Sequence, residues 1–443
     1  MQKKINRSYK LHRSYKTYVF VILLFILAPA CPLFGAEVSG TYSALFQNRE
    51  NAAGNKESVL DNYLMLDATN IGRPDISAHV YGKYGRDLND DFSDSSIYYG
   101  YLQYKTFQGA TDIKLGRFPM ETHRFLTVDG LSAYFRPAGL VGFTAFGGVP
   151  KYLDIDPDRF NRQFSETGGL IFGGRVFLQG IENTRAYAGY SREWKGSDAY
   201  RELLSAGGGR DISGNVLGNE LKVSLDASAD YNEASSGMEK ATARLFATYA
   251  RKLTLIVEAD RYDVKNEYPE GRELVLSMLS DGREDRVFYT LSYNITKRVS
   301  VYQSSVFTYL RMPDGEWQRG TILKGGFGAD YVRELGLDVD VSVYRFESFI
   351  ANASGISARI KGRPFRSWIV ESGVEAVHFD TPFRNDKFAR TVTGEIGYQP
   401  KPKYKVALFV ERSDNPEYRS DFRTGVKFDY NFSFSGGKGG QIR

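Results

Sequence analysis

The residues of this chain that could perform chemistry are few. Beyond the first 36 residues, histidine occurs as His79, His123 and His378, which are far apart and lack the spacing of a metal site. The chain contains no nucleophile elbow, no Walker loop and no HExxH motif. We therefore expect no resident metal, no cofactor and no catalytic centre, and we place the three histidines on strand faces or in loops.

One acidic run matches part of a metal-binding pattern. Asp154, Asp156 and Asp158 have the D-x-D-x-D spacing that opens a calcium-binding loop. Arg159 stands where such a loop needs glycine, and no glutamate follows at its twelfth position. We interpret this run as a solvated acidic loop.

Polar side chains instead recur at every second position of many short segments. In residues 221–231 the odd positions are leucine, valine, alanine and tyrosine, and the even positions are charged or carry a hydroxyl. Side chains alternate across a strand, so each segment predicts a strand with one apolar and one polar face. Seventeen charged residues on such polar faces are candidates to line a pore: Lys222, Asp226, Asp230, Arg244, Glu258, Asp260, Asp338, Asp340, Arg359, Lys361, Glu371, Glu375, Glu395, Lys405, Arg423, Lys427 and Asp429. The alternative for any one of them is an interstrand salt bridge that stiffens the wall.

The last strand, residues 422–434, shows the same alternation with the most aromatic face. Arg423, Gly425, Phe428 and Tyr430 give the spacing polar-x-Gly-x-x-apolar-x-apolar. This spacing resembles the C-terminal signal of bacterial outer-membrane barrels, and the resemblance implies recognition by the barrel-assembly machinery. The residues that would form the assembly signal are Gly425, Phe428, Tyr430, Phe432 and Phe434. Residues 435–443 are expected to be a short periplasmic tail.

The N-terminal segment indicates the compartment. Six lysines and arginines and no acidic residue precede an apolar run at residues 18–28, which is typical of a secretory signal peptide. We place its end near Ala36, with residues 28–30 as a competing cleavage site and Cys31 allowing a lipoprotein. Cleavage at Ala36 would leave no cysteine, which excludes disulfides, zinc-thiolate sites and covalently attached haem. It would also leave 52 basic against 53 acidic residues, which argues against nucleic-acid binding.

The predicted fold class is all-β: a transmembrane antiparallel up-and-down β-barrel at residues 37–434. No apolar run of about 18 residues follows the signal peptide, so no transmembrane helix is expected. We count about 22 strands, with roughly 18 to 22 as the range, short turns at one end and longer loops at the other. Closure removes the edges that so many strands would expose. Because the first strand begins directly after the signal peptide, we expect no plug domain.

The long segment at residues 150–166 is predicted to be an inward-folded loop that narrows the pore. Its charged residues are Lys151, Asp154, Asp156, Asp158, Arg159 and Arg162. The alternative is an extracellular loop that lies over the rim. The loop at residues 264–283 is a competitor, because residues 273–280 could form a short helix with one apolar side.

The mature chain resembles porins in its pattern, which implies an outer-membrane channel of a Gram-negative bacterium for passive passage of ions or small polar solutes. Such a barrel contacts outer-membrane lipid and could associate as a trimer. The alternative is a barrel sleeve that holds a multihaem cytochrome partner for electron transfer, as in porin-cytochrome conduits. A barrel enzyme is the weakest hypothesis, because we expect no serine, histidine and aspartate to converge on one rim.

Overall fold

The computed structural model describes residues 36–50, 56–89, 93–106, 109–120, 126–137, 139–156, 161–166, 169–196, 198–263, 283–312, 315–332, 336–348, 351–383, 386–414 and 421–435. The proposed signal peptide and C-terminal tail, His123 and residues 273–280 lie outside these ranges. None of the described segments is a helix long and apolar enough to cross a membrane.

The described chain consists of strands and their connections. The strands are β1 (Glu37–Glu50), β2 (Lys56–Thr69), β3 (Ile76–Asp87), β4 (Ser93–Lys105), β5 (Thr111–Pro119), β6 (Thr127–Phe135), β7 (Val141–Asp156), β8 (Asn161–Glu166), β9 (Leu170–Ile181), β10 (Thr184–Lys195), β11 (Asp198–Val216), β12 (Asn219–Asn232), β13 (Gly237–Tyr249), β14 (Leu253–Asp263), β15 (Arg283–Asn294), β16 (Val299–Arg311), β17 (Trp317–Val332), β18 (Leu337–Glu347), β19 (Asn352–Phe365), β20 (Trp368–Phe383), β21 (Asp386–Lys401), β22 (Tyr404–Asp414) and β23 (Asp421–Ser435).

These strands form one closed antiparallel barrel. Except for β8 and β9, consecutive strands pair with each other, and β1 pairs with β23 from Glu37 opposite Ser435 to Asn48 opposite Thr424. The wall is 22 strands around, although 23 strands are numbered. β8 and β9 share one place in it, because both pair with β7: β9 with residues 141–148 and β8 with residues 151–156. The predicted fold class is therefore confirmed, with the expected even strand number around the wall.

The segment predicted as a long loop at residues 150–166 is instead mostly strand. β7 continues to Asp156 and turns back into β8, with Lys151 opposite Glu166 and Asp156 opposite Asn161. The register then shifts before β9 pairs with the lower part of β7, where Gly148 faces Ile171. Backbone hydrogen bonding between two extended segments thus replaces the loop, and the prediction of a loop conformation was wrong.

The two ends of the barrel differ in their connections. At the end that holds both termini, strands are joined by two to six residues, whereas connections at the other end reach the 19 residues between β14 and β15. The tightest turns use left-handed backbone: Leu217 (φ 51°) and Gly218 (φ 77°) join β11 to β12. Two successive positive φ angles match the right-handed twist of a hairpin. Short turns beside the termini are the periplasmic end of an outer-membrane barrel.

Alternation along each strand separates an apolar outer face from a polar inner face. On β22, Val406, Leu408 and Val410 are 43%, 59% and 42% exposed, and they alternate with Lys405 and Glu411. The same rows of exposed aliphatic and aromatic side chains continue around the wall. Apolar side chains on an outer surface are shielded from water only where lipid covers them, so this face is the lipid-facing belt.

Candidate functional site: the inner wall of the barrel

The charged residues predicted to line a pore lie on the inner face of the wall. Strand pairing places Asp226 opposite Arg244, Arg244 opposite Glu258, and Asp340 opposite Arg359, each row alternating with the apolar outer rows. The other predicted residues occupy inner positions by the same alternation: Lys222, Asp230, Asp260, Asp338, Lys361, Glu371, Glu375, Glu395, Lys405, Arg423, Lys427 and Asp429. Their part in conduction stays a prediction.

A belt of alternating charge crosses the inner face from β10 to β15. The Arg185 Nε lies 2.9 Å from Asp226 Oδ1, and the Arg244 Nε lies 2.7 Å from Glu258 Oε2. Arg286 on β15 pairs with Asp260 and, at 3.3 Å, with Glu258. Cross-strand pairs of opposite charge stabilise a sheet by a few tenths of a kcal/mol to about 1 kcal/mol each. The belt therefore stiffens the wall and also sets the local field inside it.

A second cluster lies on the inner face next to the closure of the barrel. Glu395 of β21 accepts from Lys405 at 2.7 Å and from Lys427 at 2.8 Å. The Lys427 ammonium also lies 5.0 Å from the ring centroid of Phe409. Glu395 thus bridges two lysines, and Asp429 lies opposite Lys405 in β23, so this part of the wall also mixes both signs of charge.

An aromatic cavity of about 420 Å³ opens on the inner face between β6 and β13. Its walls include Tyr134 and Phe177, whose rings stack with centroids 5.2 Å apart. The Arg175 guanidinium lies 3.8 Å from the ring centroid of Tyr187. Within the described part of the chain no carboxylate pairs with Arg175, so its positive charge faces the cavity. Sequence reasoning missed Arg175 because the stretch around it is mostly apolar and glycine-rich.

The hairpin of β7 and β8 contains four of the six residues predicted to narrow the pore, and Asp158 and Arg159 lie outside the described residues. Lys151 is buried and lies 3.6 Å from Asp129 Oδ2. Asp154, Asp156 and Arg162 belong to the hairpin by their backbone. β8 also approaches β4, three strands around the wall from β7. Beneath this end of the barrel lies a buried apolar cluster of inward-facing residues: Phe118, Met120, Leu126, Val128, Phe146 and Ile171.

The histidines differ in their surroundings. His378 contacts the ring of Phe388 on the outer face, with centroids 5.0 Å apart. His79 on the inner face bonds to Asp67 and to Ser77. The expectation that no serine, histidine and aspartate converge was therefore wrong, because strand pairing brings Asp67 of β2 opposite His79 of β3. No group of three or more metal-ligating side chains occurs among the described residues.

The predicted assembly signal lies along the closure of the barrel. Phe428, Tyr430, Phe432 and Phe434 are on the outer face, opposite β1 residues from Ala44 to Val38. Gly425 is on the inner face beside the ring of Phe409. The structure thus places the aromatic residues toward lipid; recognition by an assembly machinery stays a prediction.

A closed antiparallel wall with an apolar outer belt, a charged inner face and short turns beside both termini defines an outer-membrane β-barrel protein of a Gram-negative bacterium. No family model matches the chain, and a search of curated proteins finds no match. Solved structures with a similar fold include OccK5 (OpdH) of Pseudomonas aeruginosa, with 11% identity, a TM-score of 0.46, and 90% of this chain and 98% of that chain covered.

Two further solved structures have a similar fold. The outer membrane protein opdK from Pseudomonas aeruginosa has 9% identity and a TM-score of 0.44, covering 90% of this chain and 98% of that one. The P pilus usher (PapC) translocation pore has 10% identity and a TM-score of 0.42, covering 89% and 99%. At such identities and TM-scores, the functions of these proteins do not carry over to this chain.

Proposed function

We propose that this protein is a porin-like channel for the passive passage of ions or small polar solutes. The observation that carries the proposal is the exposure of charged side chains on the inner face. The side chains of Arg244, Arg359 and Lys361 are 57%, 59% and 55% exposed although all three point into the barrel. Exposed charge inside a closed wall needs water around it, since unsolvated charges are costly.

The charged rows of the inner face would tune which ions pass. Arg185, Arg244 and Arg286 alternate with carboxylates around one side of the wall, and Lys405 and Lys427 flank Glu395 on the other. Rings of mixed charge impose transverse fields across a water-filled pore and bias ion preference. Selection among solutes therefore depends on side chains rather than on a dedicated binding domain.

The hairpin of β7 and β8 is the element that we assign to the narrowing of this channel. Its backbone continues beyond the paired part of β6, and β8 reaches the neighbourhood of β4. The apolar cluster around Phe118 and Phe146 is buried although both side chains face inward. Water is excluded from that part of the inner face, which supports a passage displaced toward the opposite, charged side of the wall.

Single-channel recording in planar bilayers tests the proposal. Purified protein should give discrete conductance steps, and the reversal potential in a salt gradient should report the ion preference. Absence of conductance from protein that migrates as a folded band would refute the channel. Co-purification of a multihaem protein together with silent bilayers would favour a barrel sleeve instead.

A further inference from the structure

Ser77, His79 and Asp67 form one hydrogen-bonded row on the inner face of β2 and β3. The Ser77 Oγ lies 3.0 Å from His79 Nε2. The other ring nitrogen, His79 Nδ1, lies 2.6 Å from Asp67 Oδ1. A hydroxyl, an imidazole and a carboxylate are thus linked in the order that nucleophilic catalysis by serine requires.

The hydrogen bonds fix the protonation of the imidazole. An ionised carboxylate only accepts hydrogen bonds, so the proton of neutral His79 resides on Nδ1. Nε2 then carries a lone pair and accepts from the Ser77 hydroxyl. This tautomer allows the ring to take the serine proton, and Asp67 stabilises the imidazolium that forms.

The surrounding strands hold the row in place. Strand pairing sets Asp67 opposite His79, and His79 opposite Tyr101, whose ring lies 5.0 Å from the imidazole ring by centroids. The alternation of β3 puts Ser77 and His79 on the same face two residues apart. Because both side chains belong to a regular strand and the imidazole contacts the Tyr101 ring, little reorganisation is needed for proton transfer.

One amide and one ammonium lie beside the row. Gln103, opposite Ser77 in β4, turns its carbonyl Oε1 toward Ser77 Oγ at 3.5 Å, while its amide nitrogen donates to both carboxylate oxygens of Asp112 at 2.8 Å and so does not face the serine. Lys114, opposite Gln103 in β5, places its ammonium 5.7 Å from the ring centroid of Tyr101. Of these groups, only the Lys114 ammonium has a charge that would favour an anionic intermediate over its neutral precursor.

We propose that Ser77 is the nucleophile of a second activity of this barrel, the hydrolysis of small water-soluble esters inside the lumen. Ser77 Oγ attacks the ester carbonyl carbon while its proton passes to His79 Nε2. The carbon–oxygen bond of the leaving alkoxide breaks, and His79 donates the proton to it, releasing an alcohol. A water molecule then attacks the acyl-serine with His79 as base, which releases a carboxylic acid and regenerates Ser77.

The position of the row limits the substrates. Ser77 is the second residue of β3, close to the periplasmic end, and its side chain lies on the inner face. Lipid acyl chains lie against the outer face, so a bilayer phospholipid does not present its ester to this hydroxyl. Solutes that enter the water-filled lumen can present an ester to the Ser77 hydroxyl, which points to short-chain or aromatic esters as the substrates.

A fluorophosphonate probe and p-nitrophenyl acetate test the proposal on the full chain in detergent. We expect the probe to label Ser77, as located by peptide mass spectrometry, and Ser77→Ala to abolish both labelling and hydrolysis. His79→Asn should lower both rates by roughly 10²-fold or more, the usual contribution of a positioned general base. Asp67→Asn should lower them too, because the amide can stabilise the wrong tautomer.

Ser43→Ala is the matched control, since the Ser43 hydroxyl also faces inward and bonds to a carboxylate, Asp429, at 2.6 Å but has no histidine. It should leave labelling and hydrolysis unchanged. All variants must keep the heat-modifiable mobility of the folded barrel. Labelling of Ser77 no faster than that of Ser43, or a His79→Asn variant as reactive as the parent, would overturn the proposal and leave the channel function untouched.

Discussion

The Arg175 guanidinium lies over the ring of Tyr187, 3.8 Å from the ring centroid, in the wall of the inner cavity. Most other arginines of the inner face, such as Arg185 and Arg244, contact carboxylates. Stacking on an aromatic ring fixes the guanidinium without neutralising it. In the proposed channel we therefore expect the charge of Arg175 to act on solutes and the charge of Arg244 to act first on the wall.

Arg175→Gln should shift the ion preference of the proposed channel toward cations. A unit charge about 4 Å from a passing ion is worth roughly 1 kcal/mol in water, which corresponds to about a five-fold change in the anion-to-cation permeability ratio. Reversal potentials in a potassium chloride gradient measure that ratio. Arg210→Gln is the control, because Arg210 lies on the outer face opposite Leu225 and should leave the ratio unchanged.

Arg244 and Glu258 should behave as a charge-compensated pair. Arg244→Gln alone leaves Glu258 with Arg286 as its remaining partner and shifts the reversal potential toward cations. The double variant with Glu258→Gln restores the net charge, so its reversal potential should return most of the way to that of the parent. Thermal unfolding should change little, because exposed pairs contribute about 0 to 1 kcal/mol. A double variant that stays as cation-shifted as Arg244→Gln alone would contradict charge compensation.

Shortening the hairpin of β7 and β8 should widen the pore. Replacing residues 153–164 by Asn-Gly gives a two-residue hairpin turn after the Tyr152–Ser165 pair and keeps β7 paired with β9. We expect a larger single-channel conductance if the hairpin narrows the passage. A second variant, in which Asn-Gly replaces residues 264–282 between β14 and β15, is measured for comparison. An increase only in the second variant would assign the narrowing to that connection.

Gly425→Ala should weaken the closure of the barrel. An added Cβ at Gly425 would overlap the carbonyl oxygen of Phe46 and the ring of Phe409, and overpacking costs about 1 to 3 kcal/mol. The temperature at which the folded band disappears on gels should fall. Gly214→Ala is matched to it, because no atom lies within 4 Å of the Cβ that would be added there. An equal fall in both variants would show that the lost stability comes from replacing a glycine as such and not from the overlap at Gly425.

Phe428→Asp and Tyr430→Asp should prevent assembly into the membrane. Each replaces an outward aromatic side chain of β23, and the Phe428 ring contacts Tyr42 of β1 with centroids 6.4 Å apart. A carboxylate on the lipid-facing side loses that contact and must be desolvated or protonated. Ser433→Asp, on the inner face opposite Ser39, should assemble normally. Heat-modifiable bands from both aromatic variants would show that the signal lies elsewhere.

The sequence predicts the faces of this barrel better than its contacts. Alternation alone assigns Lys222 and Lys427 to the inner face and Val223 and Val426 to the outer one, since a strand has a fixed period of two. It does not give the register between strands, so the row of Asp67, His79 and Ser77 could not be foreseen. Residues 150–166 were misread because acidic side chains and proline suggested a loop, although Pro150 ends up buried within β7.

The pairing of β1 with β23 has a consequence for how the chain reaches its native state. The hydrogen bond from Thr41 to Asn431 joins residues 390 positions apart, so the contacts that close the barrel lie between the two ends of the sequence. Ring closure of that span is entropically slow, and both terminal strands present unpaired backbone until it occurs. The interval between synthesis and closure is therefore when this protein is most exposed to proteolysis and to pairing with other chains.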